Sequence, residues 1–251
     1  MDRPKYHWVP DKPDSRDYRY RAVIPKADIP SSIDLRRYAS PVENQGNLGS
    51  CTGQAIAGCI ELLHRKQNKS YDISRLFIYY QERVILGTIN YDSGAYIRDG
   101  IKVCYTNGAP LESYWPYNIN KFAVKPMSSA YIDAEKRKIT RYERCLSLSS
   151  VKSAIAAGNP VVFGFSVYSS FESTVVSRTG MMPYPNVSRE RLLGGHAVCA
   201  VGYRDSDQRL ICRNSWGSSW GDRGYFYMPY QVVNNTSMSS DFWVISSVNI
   251  V

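Results

Sequence analysis

The residues that could do chemistry in this chain are few. There are six cysteines and only three histidines, His7, His64 and His196. Cys51 stands at the start of a segment with helical apolar spacing, where the positive end of the helix dipole favours a thiolate. A thiolate is the working nucleophile, and an ordinary cysteine near pKa 8.5 supplies little of it at neutral pH. His196 follows Gly194-Gly195 and opens an apolar run. An imidazolium beside the sulfur would lower the thiol pKa further and later protonate a leaving amine. Asn214 falls on the next strand of the same predicted hairpin, where it could orient the imidazole, and Trp216 could shield that contact from water. Gln45 lies six residues before Cys51. Its amide and the Cys51 backbone N–H could together form an oxyanion hole. The arrangement suits acyl transfer through a thioester.

Competing assignments fail on geometry. Gly217-Ser218-Ser219-Trp220-Gly221 has the G-x-S-x-G pattern of serine hydrolases, but no histidine follows it and no helix follows the serine. His64 is thirteen residues beyond Cys51 on the same predicted helix, about 20 Å away, too far to act as its base. Cys59 is about 12 Å along that helix and reads as core rather than as a resolving thiol. His7 falls in an extended arm and is expected at the surface. No two cysteines are spaced C-x-x-C, which argues against a zinc ribbon or a thioredoxin-type site. Neither a metal nor a cofactor is expected.

The elements that must position these groups fall into two halves. Helices are expected over Cys51 to Arg65 with Ser50 as N-cap, Ser74 to Leu86 capped by Ser74, and Ala95 to Asn107. From about Ala130 the character changes. Tyr131 to Cys145 reads as strand-like and Ser149 to Ala157 as a short helix. Pro160–Val167, His196–Tyr203, Arg209–Ser215, Gly224–Met228 and Phe242–Val248 read as strands, with a hairpin turn at Asp205-Ser206-Asp207. A helical half followed by a β half is an α+β pattern. Residues 1–28 read as an extended arm.

Composition sets the bounds. With 251 residues, 43% of them hydrophobic and 21% charged, the chain can bury a core without staples. The net charge is +9. Its densest basic cluster, Lys136, Arg137, Lys138, Arg141 and Arg144, is interrupted by Glu143 and lacks stacking aromatics, so no nucleic-acid partner is expected. No apolar run reaches the roughly 18 residues of a membrane helix. Cys59, Cys104, Cys199 and Cys212 lie among Ile, Val and Ala and are expected as free core thiols, in a reducing or neutral compartment. The first residues hold no apolar stretch of signal-peptide length. A cytoplasmic or virion-associated location is therefore expected over a secreted one, and a monomer over an oligomer.

Several segments together resemble the papain/cathepsin family of cysteine peptidases. They are Ile29-Pro30 through Arg36, Pro41 through Gly46, Gly49-Ser50-Cys51, Gly195 through Val198, Val201-Gly202-Tyr203, Arg213 through Gly217, Trp220-Gly221 and Gly224-Tyr225. The order Gln, Cys, His, Asn is the family's order. The resemblance implies a papain-like two-lobe fold. A helical L lobe over 29–130 would carry Cys51, a β-barrel-like R lobe over 131–251 would carry His196 and Asn214, and a cleft would lie between them. It also implies peptide or protein substrates, hydrolysed through an acyl-enzyme on Cys51. An acyl transferase or peptide ligase using the same groups is the alternative. By resemblance, the pocket for the second residue before the scissile bond lies near Ala95, Ile97, Gly164, Gly194 and Ala197, with Ser240 or Asp241 near its floor; an inward Asp241 would accept a basic side chain there. Gly94 and Ala95 would offer backbone hydrogen bonds to an extended peptide. Three positions depart from the family pattern: Leu48 where a disulfide cysteine is usual, Thr52 where an aromatic is usual, and Gly195 where an acid is frequent. The family is usually made with an inhibitory pro-segment. Residues 1–28, with Tyr6, Trp8, Tyr18 and Tyr20, are either a short version of one or a structural arm on the back of a lobe.

Overall fold

A computed structural model describes residues 6–249. The first half is built on α1 (Cys51–Lys66), whose residues 51–64 are all buried. Helices α2 (Arg75–Leu86) and α3 (Ile97–Thr106) pack on it and on each other. Ser74 caps α2 as its sequence predicts, its hydroxyl accepting from the Phe77 N–H at 3.2 Å. Gly87 ends that helix in the left-handed region at φ 69°, where a residue without Cβ is unstrained. Ser50 is at the cap position of α1 but makes no side-chain cap bond. Its hydroxyl lies 2.6 Å from the Tyr117 hydroxyl instead.

Among the described residues one sheet has seven strands, the first before α1 and six in the second half: β1 (Ser32–Asp34), β2 (Ile139–Arg144), β3 (Val161–Tyr168), β4 (Leu192–Arg204), β5 (Arg209–Arg213), β6 (Tyr225–Pro229) and β7 (Ser239–Val248). Its order is β2-β7-β3-β4-β5-β6, with β1 pairing β4. The barrel-like lobe expected by resemblance is thus an open sheet, whose edges β2 and β6 do not pair. The β4–β5 hairpin turns at Asp205–Gln208 with Arg204 opposite Arg209. Short helices α4 (Ser128–Ala134), α5 (Leu148–Ala156), α6 (Thr174–Thr179) and α7 (Tyr230–Asn234) complete the fold. Because α4 takes in Tyr131 to Ala134, the strand-like stretch expected from Tyr131 begins only at Ile139.

Residues of both halves share the main core, α1 packing against β4, β7 and β3. Two cysteine assignments are corrected here. Cys59 of α1 and Cys199 of β4 are joined in a disulfide with Cα atoms 6.6 Å apart, while Cys51, Cys104, Cys145 and Cys212 are free. The sequence hides this pair because its members are 140 residues apart and each has the apolar neighbours of an inert core thiol. Part of the basic cluster is also internal. Arg137 is buried against Asp133 at 2.8 Å, and Arg144 pairs with Asp17 at 2.9 Å and Asp241 at 2.7 Å. No described helix is long and apolar enough to cross a membrane.

Candidate active site

Cys51 is the first residue of α1, His196 lies on β4, and Asn214 directly follows β5. The hairpin register, Cys199 opposite Arg213, sets the histidine and asparagine side by side. His196 Nε2 is 2.8 Å from Asn214 Oδ1. The same oxygen accepts the Ser215 backbone N–H at 2.8 Å, which fixes the direction of the amide. Nε2 therefore carries the hydrogen, and the other ring nitrogen is the free acceptor. That atom, Nδ1, is buried and has no hydrogen-bond partner. The Ala197 backbone, next in chain to His196, hydrogen-bonds the Cys51 sulfur, so nucleophile and base are neighbours. Trp216 stacks on the imidazole with centroids 5.1 Å apart.

Gln45 is fully buried and held on every side. Its Nε2 donates to the Leu48 carbonyl at 2.9 Å, and its Oε1 accepts from the Ser215 hydroxyl at 2.6 Å. Its backbone N–H donates to Ser215 O at 2.9 Å, while its carbonyl accepts from the Tyr117 hydroxyl at 2.9 Å. Sequence reasoning missed Ser215 and Tyr117. Ser215 had a signal, since it adjoins Asn214 in the Asn-Ser-Trp-Gly run. Tyr117 had none.

The cleft holds the chain's own N-terminal segment. Trp8 N–H donates to Gly195 O at 2.9 Å, Val9 N–H to Ala95 O at 3.2 Å, and Ala95 N–H to His7 O at 3.3 Å. The segment thus bridges both lobes, His7 pairing in parallel with Gly195 and Trp8 with Ala95. Trp8 is 7% exposed and lies flat against Gly164, where an added Cβ would fall 1.9 Å from the indole. Tyr6 packs edge-on against His196 and Trp216, both at 5.9 Å, and its hydroxyl donates to Glu172 at 2.5 Å. His7, expected at the surface, sits in the cleft with Nδ1 3.8 Å from Asp92. The backbone pairing on both sides draws it in, and its side chain stays 33% exposed. Beyond the cleft the arm runs along the edge of β2, with Tyr20 N–H donating to Arg144 O at 2.9 Å. The Tyr18 ring is exposed, while its carbonyl accepts the Arg144 N–H at 2.7 Å.

The other pocket residues divide. Ala95, Gly164 and Gly194 all meet the arm. Gly94 approaches His7 so closely that a Cβ would lie 1.8 Å from its carbonyl, but the Gly94 N–H itself donates to the Tyr79 hydroxyl at 3.1 Å. Backbone pairing with an extended segment therefore falls to Ala95. Ala197 works on the sulfur, and Ile97 is fully buried in the main core. Asp241 is not an open pocket floor. It is buried, one oxygen taken by Arg144 and the other by the Asp11 N–H, each at 2.7 Å.

Burial under the arm sets the charges. It pushes the Cys51 thiol up to about 11, against the hydrogen bonds from Ala197 and His7. It also pushes His196 down to about 4, against the Asn214 contact. With the arm in place, burial favours the neutral forms of both thiol and imidazole.

The outer latch has its own pH signature. Burial and the facing Asp11 carboxylate raise Asp241 to about 6 from an ordinary 3.8, the Asp11 N–H, Arg144 and Arg98 opposing. Asp11 is raised as well, by burial first. A carboxyl whose folded pKa lies above its unfolded value favours the folded state more as pH falls through the folded pKa. The thermal midpoint of the full chain, measured relative to an Asp241→Asn variant, is therefore expected to rise as pH is lowered from 7.5 to 5. A flat or falling difference would contradict this assignment.

The family model described as Papain family cysteine protease matches residues 29–245. The chain is 39% identical to an uncharacterized peptidase C1-like protein, L477, of Acanthamoeba polyphaga mimivirus, over 97% of this chain and 87% of that protein. It is 31% identical to mouse cathepsin K over 78% of this chain, but spans only 59% of that relative. Among solved structures, xylellain, a cysteine protease from Xylella fastidiosa, superposes with a TM-score of 0.92 at 39% identity, covering 99% of both chains. Taken with the two-lobed fold, these matches show that the chain belongs to the papain family of cysteine proteases.

Proposed function

We propose that the protein hydrolyses peptide bonds through a thioester on Cys51 and that its own N-terminal arm holds it latent. The observation that carries the reading is the buried, unpartnered Nδ1 of His196, whose other nitrogen is fixed by Asn214 and whose chain neighbour Ala197 hydrogen-bonds the Cys51 sulfur. Once the arm leaves, water and substrate replace the rings that bury the pair. The thiol proton passes to Nδ1, and the sulfur attacks the peptide carbonyl. The oxyanion faces Gln45 Nε2 and the Cys51 N–H. The C–N bond breaks as His196 returns its proton to the leaving amine. Water, deprotonated by the same nitrogen, then splits the thioester. Product analysis tests this directly. Hydrolysis leaves free new carboxyl ends, whereas joined peptides would replace the reading with acyl transfer.

The arm has the wrong direction to be a substrate. By family resemblance, Trp8 fills the pocket for the second residue before the scissile bond. The residue at the sulfur is His7, which precedes Trp8 in the chain. In a substrate the residue at the sulfur comes after the one in that pocket. The arm therefore lies reversed, which supports a role as inhibitor rather than as a peptide awaiting cleavage.

The roles of the two hairpin residues separate in mutants. His196→Ala removes proton transfer, worth roughly 10²–10⁴-fold in kcat/KM. Asn214→Ala removes only its orientation, and a smaller loss is expected. Equal losses, with the Asn214 variant still folded by circular dichroism, would refute the division of roles.

A further inference from the structure

The oxyanion pair depends on two groups six residues apart, the Gln45 side chain and the Cys51 backbone N–H, joined by a loop that is closed on itself by the Leu48 N–H to Gln45 O contact at 3.5 Å and the Gln45 Nε2 to Leu48 O bond at 2.9 Å. On the sheet side Gln45 is clamped by Ser215. On the helical side Asp92 accepts the Gly49 N–H at 3.0 Å, and one half-buried group reaches both ends of the loop. The Tyr117 hydroxyl donates to the Gln45 carbonyl at 2.9 Å and lies 2.6 Å from Ser50 Oγ, next in chain to the nucleophile. Because the phenol's one hydrogen goes to Gln45, Ser50 must donate to Tyr117. This directed chain, Ser50 to Tyr117 to Gln45, also explains why Ser50 does not cap α1.

Tyr117 is itself held. Its backbone N–H donates to Glu112. Glu112 in turn pairs with the buried Arg75 at 3.3 Å. Its ring packs on the small core formed by Leu48, Leu76, Phe77 and Tyr79. The phenol oxygen is thus a fixed point to which both ends of the loop are tied.

We infer that Tyr117 is a positioning residue for the oxyanion hole, setting the separation of its two donors through the Gln45 carbonyl and Ser50. This rests on the hydrolytic role proposed for Gln45 and Cys51. Uniform loop support would stabilise the fold without favouring the transition state. A fixed spacing of oxyanion donors acts where charge develops, and so on kcat.

The test is a double-mutant cycle in the full-length chain, with Trp8→Ala in every variant to free the cleft. Tyr117→Phe removes one oxygen and keeps the ring. It is expected to lower kcat about tenfold on a peptide substrate and to leave KM within twofold. In a Gln45→Ala background the same change is expected to cost less than twofold, because the donor it positions is gone. Equal losses in both backgrounds, an effect on KM alone, or an unchanged kcat would each overturn the inference. Failure of the hydrolytic reading looks different, since Gln45→Ala alone would then leave kcat intact. If Tyr117→Phe does not fold, Ser50→Ala enters the cycle in its place, with the same coupling to Gln45 expected and the same outcomes decisive.

Discussion

Trp8→Ala is expected to turn the full-length chain from a slow enzyme into a fast one. The indole is the arm's largest buried group in the cleft, lying against Gly164 and Gly195. Truncating a buried Trp to Ala costs about 3–5 kcal/mol. Here that cost falls on arm docking, since the body of the fold keeps its own core. At 1.4 kcal/mol per tenfold, the population with an open cleft rises by roughly a hundredfold or more. Peptide turnover by the full-length variant should rise with it, up to the point where the arm is mostly undocked. Alkylation of Cys51 at pH 7 should accelerate in parallel, because the thiol loses the burial that pushes it up to about 11. Turnover and alkylation both unchanged in a folded Trp8→Ala protein would remove the arm from the mechanism.

Cys51→Ala is expected to abolish turnover, a loss of ~10⁴-fold or more, since no other group replaces a lost nucleophile. Cys59→Ala gives the contrasting result. It breaks the disulfide to Cys199 and removes a link closing a 140-residue separation, worth about 4–5 kcal/mol in the chain-entropy view. Its thermal midpoint should fall clearly, while the protein that stays folded retains turnover. In the Trp8→Ala variant, where the arm no longer covers Cys51, iodoacetamide should label Cys51 ahead of Cys104, Cys145 and Cys212, which stay buried in the body of the fold. Normal peptide cleavage by the Cys51 variant would overturn the assignment.

The proposed catalytic constellation is legible in the sequence because it rests on local signals. A cysteine opening an apolar helix, a histidine opening a strand and an asparagine closing the next strand each follow from periodicity and a hairpin turn. Cap and stop residues such as Ser74 and Gly87 are readable for the same reason. Features that depend on long-range meeting are not. Ser50 has the right type for a helix cap, but a tyrosine 67 residues away takes its hydroxyl. Cys59 and Cys199 look like ordinary core thiols until α1 is laid on β4. Asp241 has the right position for a pocket anion, but Arg144 of a neighbouring strand and the arm backbone have claimed it. The arm itself has the residues of an anchor in Tyr6 and Trp8, while its path through the cleft depends on the backbone edges that Ala95 and Gly195 present.

Residues 25–28, between the docked arm and β1, are exposed. On the proposed latency, the arm of the intact chain would compete with substrate as a tethered ligand, at the millimolar effective concentration typical of short connections. A single cut in this stretch would break no contact in the cleft. It would convert an intramolecular equilibrium into a bimolecular one, in which occupancy follows total protein concentration. Crowded, cut molecules would stay quiet, and the same molecules after dilution would become active. On that reading activation would be a two-part event, scission followed by dispersal, with the second part governed by volume rather than by chemistry.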